Sequence, residues 1–218
     1  MRSAGVLVFV CSLVLVADAH AQRRRPAARK PPPPAPLVTE PAKVRCPETL
    51  GTGVKTGAVF CFVLAGRDPA DGVMVAIPPH TGPATLMFDI HNRHTYSDED
   101  VRAGRGFAKY TAVIGVLTLK GELLSRGAVQ TEFRTARDLY DRVAGGAGPA
   151  GVKAVAPLGH EQVVVAIPPG VDQVSLLGEV LDATTAAGRE TATPGRTVAI
   201  VSNVRIEYRP APAAPARR

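Results

Sequence analysis

The chain has 218 residues, 21 glycines, 20 prolines, no tryptophan and a formal net charge of +7. That charge sits at the ends: residues 23–43 hold six basic groups against one acid, residues 209–218 hold three basic groups, and residues 44–208 come to −1. A nucleic-acid-binding domain carries its positive charge as a patch on the fold itself, so that function is excluded, and the length of the central part suits one domain.

In chain order, Met1-Arg2-Ser3, an apolar run from Val6 to Val16 and Ala19-His20-Ala21 predict a signal peptide over 1–21. The run is too short for a membrane span, which needs about 20 apolar residues. Cys11 lies inside that run behind Val10 rather than a small residue, which argues against a lipoprotein anchor. No later stretch is apolar enough to span a bilayer, so the expectation is a secreted or periplasmic protein without a transmembrane segment after cleavage. Residues 22–43, with RRRPAARKPPPPAP, read as a basic Pro-rich linker, and 209–218, RPAPAAPARR, as a tail of the same kind. Proline cannot donate a backbone hydrogen bond and favours extended, solvated chain, so neither is expected to pack. Arms of this charge suit an anionic cell-envelope polymer or lipid surface; an exported protein partner is the other candidate. The preference for Arg over Lys, with abundant Ala, Gly and Pro, points to a GC-rich bacterial genome.

The central part, 44–208, opens with Cys46 and Cys61, an even pair read as one disulfide in an oxidising compartment. Strands are expected over Ala58 to Leu64 and again at Val73, Val75 and Ile77, whose alternation ends at Pro78-Pro79, since neither proline can supply an N–H to a ladder. Leu86, Phe88 and Ile90 alternate next. Residues 73–92 and 163–182 align without a gap, VMVAIPPHTGPATLMFDIHN on VVVAIPPGVDQVSLLGEVLD, with seven identities, so the same strand, proline turn and strand are written twice as an internal repeat. A helical turn is expected from Ser97, placing Asp98, Glu99 and Asp100 where the helix dipole favours acids. Tyr110 to Leu119 reads as a central buried strand, Lys120-Gly121 as a tight turn into Glu122 to Ser125, and Val129, Thr131 and Phe133 as a further strand. Thr135 with Asp138 forms a capping-box pattern that predicts one short helix, with Leu139, Tyr140 and Val143 on its apolar side and Gly145 at its end. In the last strand Val198, Ile200, Val204, Ile206 and Tyr208 fall on one face, Asn203, Arg205 and Glu207 on the other.

Eight to ten short strands predict an all-β protein, a single antiparallel β-sandwich with one short helix. The strand–IPP turn–strand units together with the final TVAIVSNVRIEY resemble the secreted bacterial jelly-roll modules, many of them carbohydrate-binding. The likeness covers about a third of the chain and includes no ligand motif, so it implies a fold and no site residues.

Chemistry-bearing patterns are few. GAGPAG at 146–151 fits G-x-G-x-x-G but comes after a predicted helix and precedes a strand, the reverse of a dinucleotide fingerprint, and GTGVKTG at 51–57 lacks the adjacent Gly-Lys-Thr of a phosphate loop. The common hydrolase and metal signatures are missing as well. Asp89 and His91 share a strand face, two residues apart, and Glu179 takes the equivalent place in the second repeat; with Glu132 these are the candidates for acid–base catalysis. Asp89, His91 and His80 are the candidate metal ligands. Against catalysis stands the simpler reading of a solvated outer face, and no cofactor is implied. Flat sugar-binding faces use exposed aromatic rings; with Trp absent and Tyr96 the one candidate for exposure, a sugar would need a polar, loop-based site. The sequence thus predicts an exported non-enzymatic module for ligand binding or envelope association. An exported hydrolase or lyase around Asp89 and His91, or an accessory subunit of another exported protein, are the alternatives.

Overall fold

The computed structural model describes residues 33–147, 153–157 and 160–212. The expected signal peptide, residues 22–32 of the first basic arm and residues 213–218 of the second lie outside the described residues. Among the described residues fifteen strands succeed one another in chain order: β1 (Val38–Pro41), β2 (Lys43–Arg45), β3 (Thr49–Thr52), β4 (Val59–Leu64), β5 (Val73–Ala76), β6 (Ala84–His91), β7 (His94–Tyr96), β8 (Ala108–Thr118), β9 (Leu123–Phe133), β10 (Leu139–Ala147), β11 (Lys153–Pro157), β12 (Glu161–Ile167), β13 (Gln173–Thr185), β14 (Gly188–Thr191) and β15 (Thr197–Tyr208). One sheet runs β12–β6–β15–β4–β3, with β1 beside the end of β15, and a second runs β2–β5–β13–β8–β9, with β14 beside the end of β13. All ladders within the two sheets are antiparallel. Alternate residues of each face inward, and Val73, Val75, Leu86, Phe88, Ile90, Ile114, Val116, Leu176 and Ile206 make the fully buried core between them. The protein is an all-β sandwich.

Each VAIPP segment ends a strand in one sheet and delivers the chain to the other. β5 lies in the second sheet and β6 in the first, whereas β12 lies in the first and β13 in the second. The pairing is reciprocal: β5 pairs with β13, and β12 with β6. A strand that must leave its sheet has to stop donating to its ladder at a defined residue, which is what Pro-Pro enforces. At Gly178 on β13 the sheets approach so closely that a Cβ would lie 2.0 Å from Val198 Cγ2 and 3.1 Å from the Leu64 carbonyl oxygen, so only glycine fits there.

Cys46, just after β2 in the second sheet, and Cys61, on β4 in the first, form a disulfide with 5.3 Å between Cα atoms. It staples one sheet to the other across the core. Closing a loop of 15 residues stabilises a fold by about 3 kcal/mol. Reduction, or a Cys46→Ser and Cys61→Ser pair, is therefore expected to lower the urea-derived unfolding free energy by about that amount.

Three expectations need correction. The segment after Thr135 is not a helix: the capping box forms, with Asp138 Oδ2 accepting from Thr135 N at 2.8 Å, but it caps a single 3-10 turn, Ala136–Asp138, and the chain continues as β10. Gly145 and Gly146 each cost a helix about 1 kcal/mol, and Asp141 is claimed by the loop at 53–57. The short helix of the described chain is instead α1 (Asp98–Arg102), where Ser97 Oγ accepts from Asp100 N at 3.2 Å, the turn expected there. Second, β15 does not keep one parity. Asn203 sits at a left-handed φ of 52° in a bulge between Ser202 and Arg205, so Ala199 and Val201 face the main core before it, Ile206 and Tyr208 after it, and Ile200 points to the opposite side. Alternation read from the sequence cannot register an extra residue. Third, Tyr96 is buried, its hydroxyl donating to Asp98 Oδ1. The strand β1 also lies inside the stretch read as linker; it is short, ends on Pro41 and occupies a sheet edge, where a missing N–H is tolerated.

β10, β11 and β7 form a third, three-stranded sheet. Val143 and Tyr140 of β10 cover Phe60, Phe62 and Ile200 on the outer face of the first sheet, so that face is not solvated. β10 is fastened by Asp141, 4% exposed, which accepts from Lys55 N at 2.8 Å, Thr56 N at 2.9 Å, Thr56 Oγ1 at 2.6 Å and Arg142 N at 2.7 Å. GTGVKTG thus cradles an anion after all, and the anion is the protein's own carboxylate. The expected GAGPAG loop begins as the end of β10; its remainder lies outside the described residues.

Candidate functional site

Asp89 and His91 lie on the outer face of β6, beneath the third sheet, and both are buried. His91 Nε2 shares a 2.8 Å hydrogen bond with Ser202 Oγ, while its Nδ1 has no partner. Asn203, held in the bulge, donates to Asp89 Oδ2 at 2.7 Å, and His160 Nε2 lies 3.8 Å from the same oxygen. The rings of Tyr140 and His160 close over His91, with centroids 4.9 and 5.2 Å away. Burial, reinforced by His160 and opposed by Asp89, pushes the His91 pKa down to about 4. The serine–histidine contact does not extend to a carboxylate on Nδ1, and Ser202 is 1% exposed, so a substrate has no approach to it.

The remaining sequence candidates lie elsewhere. Glu179 is on the outer face of the second sheet, on the far side of the sandwich from Asp89, in a 2.6 Å ion pair with Arg126. Glu132 pairs with Arg134 at 3.1 Å on the surface. His80 sits in the turn before β6, its Nδ1 2.9 Å from the Pro78 carbonyl oxygen. Asp89 and His91 are therefore neighbours, and Glu179, Glu132 and His80 do not join them. Among the described residues no group of three or more His, Cys, Asp or Glu side chains is placed to hold a metal ion.

A space large enough for a ligand lies at one end of the sandwich. A cleft of about 820 Å³ lies between Asn92–Thr95 after β6, α1 and Arg105–Phe107, the β13–β14 hairpin, and Gly195–Val198 entering β15. Its floor is His94, Tyr110 and Phe133. The His94 ring stacks on Phe133 at 3.7 Å between centroids and its Nδ1 lies 3.2 Å from the Tyr110 hydroxyl. Burial pushes the His94 pKa down to about 4. Burial and then the Glu190 carboxylate push Tyr110 up to about 12, with Arg93 opposing. Asn92, 1% exposed, donates to Thr131 Oγ1 at 3.0 Å and leaves its Oδ1 unpartnered. Because the Thr131 hydroxyl can donate or accept, turning the amide over leaves the other end unmet instead. Arg93, Arg196, Glu190, Thr185 and Thr191 line the walls. Sequence reasoning missed this cleft because its residues come from five separate stretches of the chain and match no motif.

These features define an all-β sandwich with a third layer on one face and a polar cleft at one end. No protein-family model matches the chain, and no curated protein matches it. Among solved structures the chain is similar to the Agl-KA catalytic domain, at 12% identity and a TM-score of 0.26, over 84% of this chain and 27% of that one. The chain spans about a quarter of that structure's length, and a likeness so distant carries neither fold nor function to it.

Proposed function

We propose that the protein is an exported, non-enzymatic binding module whose ligand is a small hydroxyl-rich molecule of the carbohydrate kind, seated in the end cleft. The observation that carries this reading is the cleft itself: about 820 Å³, within the range of about 300–1,000 Å³ typical of ligand sites. Its walls offer hydroxyls, the carboxylates of Asp100 and Glu190, guanidinium groups and an amide rather than an apolar slot. A hydroxyl donates and accepts at once, which suits the mixed set of Glu190, Arg93, Arg196 and the threonines. The non-enzymatic half rests on proton chemistry. General acid–base catalysis needs a group titrating near the working pH, whereas His94 and Tyr110 at the floor are pushed to about 4 and about 12, in each case away from neutrality. Asp89, His91 and His160 do not line this cleft.

The test is a calorimetric titration of the protein with a panel of neutral and acidic oligosaccharides, repeated with Glu190→Ala and Arg196→Ala, both exposed and outside any ion pair described for the fold. Losing a charge-assisted hydrogen bond to a ligand costs about 1.5–3 kcal/mol, so each variant is expected to weaken binding at least tenfold at unchanged thermal stability. Saccharide binding that neither variant disturbs would move the site away from the cleft; no saccharide bound by the unaltered protein would end the carbohydrate reading.

A further inference from the structure

The walls of the end cleft come from different sheets and carry different charge. From the first sheet come the end of β6 and the start of β15, strands that pair with His91 opposite Ile200. Arg93 lies in the two-residue link from β6 to β7, and Arg196 immediately precedes Thr197, the first residue of β15. Both arginines therefore leave the same end of two neighbouring strands, which in a ladder run about 5 Å apart. From the second sheet come β8, β13 and β14. Their register sets Tyr110 opposite Ala183 and Ala183 opposite Glu190. Residues opposite one another in an antiparallel ladder share a face, so the small Ala183 side chain leaves room between the Tyr110 hydroxyl and the Glu190 carboxylate. All five residues line the cleft.

The guanidinium groups of Arg93, Arg105 and Arg196 and the carboxylates of Asp100 and Glu190 give the cleft a net +1, whereas residues 44–208 as a whole come to −1. Arg105 is taken by Asp100, to whose Oδ1 its Nε and Nη2 donate at 3.2 and 3.0 Å. Among the described residues Arg93 and Arg196 join no ion pair, and both are exposed. The Arg93 guanidinium stands 5.5 Å from the centre of the Phe62 ring, a contact that positions the group and leaves its charge in place. We propose that the ligand of the cleft is an acidic saccharide, a uronate, whose carboxylate is received by Arg93 and Arg196 and whose ring hydroxyls are received by Glu190 and Tyr110. The proposal rests on the carbohydrate reading above and adds the charge of the sugar and its orientation. A guanidinium presents paired N–H donors that match the two oxygens of a carboxylate. On the other wall a carboxylate accepts from hydroxyls, and it turns the ligand's own acid toward the arginines. A uronate brings one negative charge, equal and opposite to that of the cleft; a phosphate monoester would bring about −1.5 to −2.

The experiment is calorimetric titration of the protein with trigalacturonate, with its methyl ester, which keeps the hydroxyls and loses the charge, and with a galactose trimer bearing sulfate esters. The acid is expected to bind roughly tenfold more tightly than the ester, or better, at low salt, and the gap should narrow at high salt, where exposed charges are screened. Arg93→Gln and Arg196→Gln should each reduce the preference for the acid several-fold, and the two together should abolish it. Glu190→Gln should weaken acid and ester alike. Both arginines are exposed, so melting temperatures of the variants should match that of the unaltered protein. Acid and ester bound equally, a preference that survives both arginine replacements, or the sulfate ester bound in place of the uronate would each overturn the proposal while leaving the cleft a carbohydrate site. Failure of acid, ester and sulfate ester alike to bind would end the carbohydrate reading and this proposal with it.

Discussion

Acidification from pH 7 to pH 4 is expected to remove roughly 5 kcal/mol of folding stability, and two histidines are responsible. His91 is fully buried and His94 is 6% exposed, and both have pKa values near 4 where an unfolded chain has 6.5. Between those values the unfolded state binds protons that the folded state refuses, so stability falls as pH falls, beginning at the unfolded value and ending at the folded one. The step from 6.5 to about 4 corresponds to about 3 kcal/mol for each ring. The two rings have different partners, Ser202 for one and Tyr110 for the other, so the effects are close to additive. Asp138 and Asp141, whose pKa values lie below the ordinary carboxylate value of 3.8, do not act in this window. Their contribution is present above that value and is lost only as pH drops through their lowered folded pKa values. Urea unfolding at half-unit steps from pH 7 to pH 4 would show the slope, and NMR should find both rings neutral at pH 5.5. Stability that stays level down to pH 5 would mean the rings are not buried as described.

The class of fold was legible because it rests on local rules that act the same way in any context. Pro78-Pro79 and Pro168-Pro169 must end ladders, Ser97 must cap the helical turn that Asp98 begins, and the alternation through Leu86, Phe88 and Ile90 needs one buried face. Cys46 and Cys61 could be paired because they are the two cysteines of residues 44–208. What could not be read is whatever depends on a second segment arriving. Thr135 and Asp138 cap a turn equally well whether helix or strand comes next, and the decision is made by residues 53–57, some 85 positions earlier, which take Asp141 into their backbone. Once β10 lies on the first sheet, Asp89 and His91 are interior, not the solvated pair their spacing suggested. The bulge at Asn203 is illegible for a related reason: the residue adopts a left-handed φ while its side chain donates to Asp89, an interaction that exists only across strands. The cleft is the furthest from local rules of all, being lined from five separate stretches of the chain.

Replacing Asp141 by Ala should cost about 3 kcal/mol of stability, the largest effect expected of any single side chain on the third layer. Four donors converge on this carboxylate, from the backbone of Lys55, Thr56 and Arg142 and from the Thr56 hydroxyl. Burial opposes its charge, yet the Thr56 hydroxyl and then the three backbone N–H groups overcome that and hold its pKa below the usual range. Truncation therefore strands several donors at once, and an unmet buried donor costs about 1–3 kcal/mol. Asp141→Asn keeps the shape but turns an amide N–H toward donors, and about 2 kcal/mol is expected; Thr56→Val removes one donor and should cost about 1 kcal/mol. Gly53→Ala reaches the same place by sterics, since its Cβ would lie 2.2 Å from Asp141 Oδ2 and 2.6 Å from Thr56 Oγ1. Urea midpoints order these variants. Hydrogen exchange supplies the second reading: β10 amides should lose protection in Asp141→Ala before those of β8 and β13, because the carboxylate fastens the third sheet and leaves the main core untouched. A midpoint equal to that of the unaltered protein, with β10 still protected, would show that Val143 and Tyr140 hold the layer by packing alone.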